Sequence, residues 1–232
     1  VGHPSLDRAG RESGGVHRGD PALGVLPRGG EHVLAGQELD PLRDVVARGA
    51  QGVDVGEGIN QANSVIQILD ITDLSDIRQS GVFADNMLDP YHFAVRLNEI
   101  ARSWGSPPLL IERNGPGGQV IDAMHHTHQY EHIVTYTPSA GKQGTNNTRM
   151  GIFSHTNTKF TGVSNMRYWL NNLRVLKIWD MHTIKEFETY IRHANGMWKK
   201  RAGENVWDDR VEALMWSIFM LDITIAQKYY EV

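Results

Sequence analysis

The chain has 232 residues, 40% of them hydrophobic, and a formal net charge of −4. It contains no cysteine, which excludes disulfide bonds and thiolate metal sites, and no apolar run approaches the ~20 residues that span a bilayer. We therefore expect a soluble protein with no membrane partner and enough apolar residues for one sizeable core.

The first 50 residues differ in composition from the remainder. They contain no Phe, Trp, Tyr, Lys, Ile or Asn and are rich in Gly, Arg, Pro and His. So little aromatic and β-branched surface hardly offsets the entropy of ordering. We predict that residues 1–50 form a disordered or foreign N-terminal arm, with a natural flexible linker as the alternative, and that residues 51–232 form the folded domain.

Three short strands are predicted at the start of that domain. The segments are GVDV (52–55), SVIQILDI (64–71) and IRQSGVFA (77–84). Because only short turns separate them, an antiparallel meander is expected.

A helix and a buried strand follow. Asp89 is a favourable N-cap, Pro90 occupies the first helical position, and apolar residues recur at helical spacing over 89–104. The run PLLIE (108–112) is apolar until its last residue, as in a central strand covered on both faces.

The second half of the domain alternates helices and strands. The predicted elements are a short helix near 117–126, a strand at 132–136, a mobile polar loop at 141–149, a helix at 163–173, a strand at 174–178, a helix at 183–191, a hairpin or loop at 193–206 and a helix at 208–226. This order predicts an α/β fold, a mixed β-sheet flanked by helices on both faces.

Four carboxylates occupy the ends of these elements. Asp54 lies on the first strand, Glu112 ends the central strand, and Asp208 and Asp209 open the last helix. If the first and central strands are neighbours, these side chains converge, and such carboxylates require a cation to stay ionised together. Mg²⁺ or Mn²⁺ prefers oxygen ligands. The alternative is structural, since either Asp at a helix start serves as a cap.

Charge is unevenly distributed along the chain. Residues 51–139 hold 4 Lys or Arg and 11 Asp or Glu, whereas residues 140–201 hold 11 Lys or Arg and 3 Asp or Glu. A basic surface attracts phosphates by releasing their counterions. Scattered solvated charge is the alternative.

Four motifs together resemble the nuclease domain of the large terminase subunit of tailed bacteriophages. They are GVDVGEG with NSVIQILDI, DPYHFAVRLNEIA, LLIERNGPG and WDDRVEALMW, within residues 52–221. The resemblance implies an RNase H-like fold and an endonuclease that cleaves double-stranded viral DNA during genome packaging, in the cytoplasm of the infected host cell. It also implies two-metal phosphodiester hydrolysis with two Mg²⁺ or Mn²⁺ ions.

The same resemblance assigns roles to individual acidic residues. Asp54, Glu112, Asp208 and Asp209 match the catalytic and metal-binding positions, with Asp209 favoured as the direct ligand, and Glu57 matches an acidic residue near the metals. The chain departs from the family at Ala62, where an Asp is frequent, and at Trp207, where His is frequent.

Basic residues are expected to hold DNA. Arg113 adjoins the predicted ligand Glu112 and either touches the scissile phosphate or makes a structural salt bridge. The other candidates lie in the loop and the hairpin and comprise Lys142, Arg149, Lys159, Lys199, Lys200 and Arg201. Phosphate contacts position DNA without reading its sequence.

The family's other partners follow from the resemblance alone. They are a terminase ATPase domain, the portal and the small terminase subunit. The chain has no phosphate-binding loop of the form G-x-x-x-x-G-K-[ST], so we expect the ATPase domain to be absent from it.

Other interpretations remain open. A resolvase or transposase-type nuclease keeps the fold, and a non-catalytic DNA-binding or portal-binding module keeps the surface without the chemistry. His125, His126, His128 and His132 lie close enough together to suggest a zinc site, but their spacing matches no zinc-ligand pattern and a polar loop with partly exposed His is the better interpretation.

Overall fold

A mixed β-sheet forms the centre of the molecule in a computed structural model. The structure describes residues 31–34, 49–56, 62–136, 149–203 and 206–230, with side chains placed from residue 49 to residue 222 within those ranges. Its strands are β1 (Glu31–Leu34), β2 (Gly49–Asp54), β3 (Ser64–Asp70), β4 (Ile77–Asp85), β5 (Leu109–Ile111), β6 (Thr135–Tyr136), β7 (Arg149–Met150), β8 (Leu176–Lys177), β9 (Tyr190–Arg192) and β10 (Trp198–Lys200). The helices are α1 (Pro90–Ser103), α2 (Gly117–Asp122), α3 (Thr156–Arg167), α4 (Met181–Phe187) and α5 (Asp209–Tyr230).

The main sheet has the order β1-β4-β3-β2-β5, and β8 also pairs with β4. β2, β3 and β4 form an antiparallel meander, as predicted from their spacing. β2 and β5 are parallel neighbours, with Val53 opposite Ile111, and the Glu112 N–H donates to the Val53 carbonyl at 2.8 Å. Asp54 and Glu112 therefore leave the sheet at the same edge.

β1 lies inside the segment predicted to be an N-terminal arm. It pairs antiparallel with β4, from Glu31 opposite Ala84 to Leu34 opposite Gly81. Residues 1–30 and 35–48 lie outside the described residues. The arm remains a prediction, and β2 begins at Gly49, two residues before the predicted domain boundary.

Helices α1 and α2 cover one face of the sheet. The Asp89 side chain accepts from the backbone N–H groups of Tyr91 and His92, so the predicted N-cap of α1 is confirmed. Phe93 and Leu97 of α1 pack against the inward side chains of β2, β3 and β5. α2 continues as one π-helical turn over residues 123–127.

Helices α3 and α5 cover the opposite face. α5 is apolar on most sides and fully buries Trp216 in the core of this layer, where α3 packs beside it. α3 begins seven residues before the predicted helix and continues in π-helical form over residues 168–173. Helices on both faces of a mixed sheet confirm the predicted α/β architecture.

Further predicted elements are shorter than expected, among them the strand expected over 174–178, which is reduced to β8. The strand expected over 132–136 is reduced to β6, which pairs with β7, because Ile133 makes only an isolated bridge to Leu109. The helix expected over 183–191 ends at Phe187, and the chain then enters the β9–β10 hairpin. Within the described part of the chain, no helix is long and apolar enough to cross a membrane.

Candidate metal centre

The close approach of α5 to β2 positions the candidate centre. Gly52 of β2 has no side chain, and a Cβ there would lie 2.1 Å from the Ala213 carbonyl oxygen and 2.3 Å from the Ser217 nitrogen. The Gly52 N–H donates to Ser217 Oγ at 2.8 Å. This contact fixes the position of α5 against the sheet and turns Glu212 and Trp216, one helical turn apart, toward the ends of β2 and β5.

Three carboxyl groups meet at this point, and we call them the carboxylate cluster: Asp54, Glu112 and Glu212. Each offers an oxygen that lies within 4.8 Å of the other two. Glu112 and Glu212 are buried, and Asp54 is partly buried. Two of the three were predicted from the sequence, and the structure brings these two together at the edge shared by β2 and β5.

Fixed side chains hold the cluster. Trp216 Nε1 donates to Glu112 Oε2 at 3.0 Å, which orients that carboxylate. Lys159, from α3, forms an ion pair with Glu212 Oε1. The ammonium group is buried with its partner, although it had been predicted to bind DNA from a mobile surface.

Electrostatics in the cluster favour a bound cation. Burial raises the pKa of Asp54 well above its usual range, and the charges of Glu112, Glu212 and Asp209 raise it further. Burial also raises the pKa of Glu212 to about 8, even though Lys159 opposes the shift. Burial disfavours the ammonium form of Lys159, but Glu212, Glu112 and Asp54 outweigh it and raise its pKa. If all three carboxyl groups were ionised, they would carry more negative charge than one lysine neutralises, so they need a further cation to stay ionised together.

Asp208 and Asp209, predicted as ligands, lie beside the cluster rather than in it. Asp209 Oδ2 accepts from the backbone N–H of Asn63 at 2.8 Å and from its side-chain amide at 3.0 Å. Asp208 Oδ2 accepts from the Lys200 N–H at 2.9 Å. The charge of Asp209 still reaches Asp54, and its role as a ligand remains a prediction.

Glu212 is the residue that sequence reasoning missed. It lies one helical turn beyond Asp208 in the run DDRVE, so helical spacing alone was a usable signal. Two adjacent acids at a helix start favour Asp208 and Asp209 as ligands from the sequence. The rotation of α5, however, decides which acid faces the sheet. Glu57 lies outside the described residues.

Arg113 and Arg149 flank an exposed aromatic ring next to the cluster. Each guanidinium lies 5.9 Å from the centre of the Phe153 ring, and Arg113 Nη1 donates to the Met150 carbonyl at 2.9 Å. Phe153 follows Ile152, which bridges to Glu112. Two predicted DNA contacts thus lie together beside the carboxylates.

The β9–β10 hairpin and the residue after it carry the remaining described residues that were predicted to bind DNA. Lys199 and Arg201 are exposed, and Lys200 Nζ lies 4.5 Å from the centre of the Trp207 ring. The Lys200–Asp208 hydrogen bond ties this hairpin to the start of α5. Lys142 lies outside the described residues.

The histidine-rich segment does not assemble a zinc site. The rings of His125 and His126 are 4.7 Å apart and exposed, and His132 Nδ1 contacts the Ser106 carbonyl at 2.5 Å. Among the described residues, the carboxylate cluster is the one group of three or more potential metal ligands.

The donor set of the cluster fits a hard divalent cation. All three donors are carboxylate oxygens, which Mg²⁺ and Mn²⁺ prefer. A Mg²⁺ ion places opposite ligand oxygens about 4.2 Å apart, so oxygens within 4.8 Å of one another need only a small side-chain adjustment.

No protein-family model matches the sequence, and no curated protein gives a significant match. Solved structures are similar in fold. The large terminase nuclease from thermophilic phage G20c with bound magnesium has a TM-score of 0.55 and 18% identity, covering 74% of this chain and 80% of that one. The same nuclease with bound cobalt has a TM-score of 0.53 at 18% identity, covering 74% of this chain and 80% of that one.

A second phage gives the same result. The large terminase nuclease domain of Thermus phage P74-26 has a TM-score of 0.50 and 20% identity, covering 73% of this chain and 77% of that one. The chain therefore has the fold of large terminase nuclease domains, as the sequence motifs predicted.

Proposed function

We propose that this chain is a metal-dependent endonuclease that cleaves double-stranded viral DNA during genome packaging. The observation that carries the proposal is the convergence of Asp54, Glu112 and Glu212 at the edge of the sheet, with an oxygen of each within 4.8 Å of the others. The fold shared with terminase nucleases, one of them solved with bound magnesium and with bound cobalt, supports the same function.

The carboxylate cluster would hold the metal. A bound Mg²⁺ or Mn²⁺ supplies Lewis-acid activation of a phosphodiester and of water near neutral pH. The protein contributes the position of the ligands, since Trp216 orients Glu112 and α5 fixes Glu212 against β2. Burial strengthens every charge interaction there because less water screens it.

The residues around the cluster would position DNA. The guanidinium groups of Arg113 and Arg149 lie against the Phe153 ring, beside Glu112. Three further basic residues lie in or just after the hairpin that is hydrogen-bonded to Asp208, namely Lys199, Lys200 and Arg201. Guanidinium groups bind phosphate oxygens in pairs. We therefore infer contacts to the DNA backbone with little sequence preference.

The two-ion mechanism needs ligands for a second ion. Asp209 and Asp208 are the candidates, since both lie at the start of α5 and Asp209 acts electrostatically on Asp54. A packaging role further implies work with an ATPase domain, a portal and a small terminase subunit in the host cytoplasm.

Plasmid cleavage tests the proposal. Supercoiled plasmid is incubated with the protein in Mg²⁺ or Mn²⁺ and separately in EDTA, beside Glu112→Ala. Metal-dependent nicking and linearisation that the variant loses support the nuclease. Binding in a gel shift without cutting in either metal supports a non-catalytic module, and cutting confined to branched DNA supports a resolvase.

A further inference from the structure

We propose that Lys159 is a resident cation of the carboxylate cluster. In the DNA-free site its ammonium group occupies Glu212 Oε1, so that only one divalent ion binds there before DNA does. This inference deepens the proposed function and rests on it.

The position of Lys159 is fixed by helix packing. Its Nζ pairs with Glu212 Oε1, and the residue is 8% exposed beside a glutamate that is 6% exposed. Gly162, one turn along α3, lies so close to α5 that a Cβ there would be 2.7 Å from Met215 Cγ. Because α3 cannot move away from α5 without losing this contact, the ammonium group is held at Glu212.

The burial of Lys159 distinguishes it from the lysines of the hairpin. Lys199 is exposed, and Lys200 lies against the ring of Trp207. An ammonium group removed from water needs a fixed anionic partner. Lys159 has such a partner within the cluster, so its position suits a permanent counter-ion better than a contact to passing DNA.

Charge and the available oxygens together limit the number of ions. The cluster carries up to three negative charges, and one divalent ion together with one ammonium group supplies three positive charges. A second divalent ion would have to displace Lys159 from Glu212 Oε1, an oxygen that Lys159→Met leaves open.

Metal counting without DNA tests the inference. The full chain is stripped of metal and titrated with Mn²⁺ at pH 8, with bound ions counted by calorimetry and by the paramagnetic resonance of free Mn²⁺. We expect one ion per chain for the wild type and for Lys159→Arg, which keeps the charge, and two ions for Lys159→Met. Lys177→Met removes a different ion-paired lysine, the partner of Asp76, and should leave one ion.

Two ions in the wild type, or one ion in Lys159→Met, would overturn the role of Lys159. Two ions in Lys159→Arg would overturn it as well, because the charge would then not decide the count. If Lys159→Met does not fold by circular dichroism, Lys159→Gln replaces it with the same expectation. Failure of the proposed function gives a different result. The wild type would then bind no Mn²⁺, or it would bind Mn²⁺ with an affinity that Glu112→Gln does not weaken.

Discussion

Two buried acidic groups lie near the first turn of α5, and they are built in opposite ways. One is the carboxylate cluster. The other, which we call the Arg210 cluster, consists of Asp180, Glu186 and Arg210, all buried. Both contain buried glutamates, Glu112 and Glu212 in one and Glu186 in the other, so burial alone does not separate them.

The Arg210 cluster is satisfied by the protein itself. Glu186 Oε2 accepts from the backbone N–H groups of Arg210 at 2.8 Å and Val211 at 3.1 Å, which caps α5. Arg210 lies 3.6 Å from both acids, and Asp180 Oδ2 accepts from Thr183 N and Oγ1. Backbone donors and one guanidinium thus compensate two carboxylates.

The carboxylate cluster has fewer such donors. Three acids converge on one lysine, and Trp216 is the side chain that donates to Glu112. The difference shows that a metal site is indicated where converging carboxylates carry more charge than the surrounding donors and cations of the protein compensate. A buried acid alone carries no such indication.

The largest expected effect comes from neutralising one acid in each cluster. Glu212→Gln and Glu112→Gln should each lower plasmid cleavage by about a thousandfold, or about 4 kcal/mol of activation free energy, because each removes a ligand charge. Glu186→Gln should change the rate by less than about threefold, since its role is to cap α5. Initial rates of nicking in Mg²⁺ measure all three, and a Glu186→Gln rate as low as that of Glu212→Gln would remove the distinction.

The next effect concerns the contact that assembles the carboxylate cluster. Gly52→Ala should lower the free energy of unfolding by about 3 kcal/mol, because its Cβ would overlap the backbone of α5. Gly118→Ala in α2 is the matched control. Its Cβ would meet only the Arg113 carbonyl at 3.9 Å, so we expect a neutral or slightly stabilising change. Urea denaturation measures both, and equal stabilities would show that α5 does not press on β2.

A pH series separates the two clusters without touching the ligands. Burial raises the pKa of Glu186 to about 7 from its usual value near 4.5, so the folded state binds this proton more tightly than the unfolded state. The contribution is complete below pH ~4.5 and is lost as the pH rises through about 7. In EDTA, the free energy of unfolding should fall by about 3 kcal/mol over that range from this group alone.

Glu186→Gln should remove that part of the fall. The part due to Glu212, whose pKa is about 8, should persist in the variant and disappear when Mn²⁺ is added. Urea midpoints at pH 5, 6, 7 and 8 are the measurement. A fall in Glu186→Gln identical to that of the wild type would exclude Glu186 as a source.

The smallest expected effect tests orientation inside the carboxylate cluster. Trp216→Phe keeps the ring in the core but removes the donor to Glu112, so Mn²⁺ affinity should weaken about tenfold, or about 1.4 kcal/mol. Trp169→Phe is the control, because Trp169 donates in the same way to Asp222, which is not in the carboxylate cluster. Calorimetric titration with Mn²⁺ compares them, and equal weakening in both variants would contradict a specific role for Trp216.

Much of the fold could be predicted from the sequence because the signals are local. Alternating apolar residues in β3, the Asp89–Pro90 start of α1 and the apolar β5 follow from periodicity and capping. The adjacency of β2 and β5 placed Asp54 and Glu112 together. The start of α3 was missed because its first turn is polar, with Thr156 and Asn157 instead of an apolar stripe.

The third acid and the lysine depended on tertiary structure. A helix turns 100° per residue, so whether Asp209 or Glu212 faces the carboxylates depends on how α5 is rotated against the sheet. That rotation is set by the contact of Gly52 with Ser217, which are 165 residues apart. The place of Lys159 likewise depends on α3 packing against α5 at Gly162 and Met215. The sequence by itself determined most of the elements and two members of the carboxylate cluster, and the packing of helices on the sheet decided which charges complete the cluster.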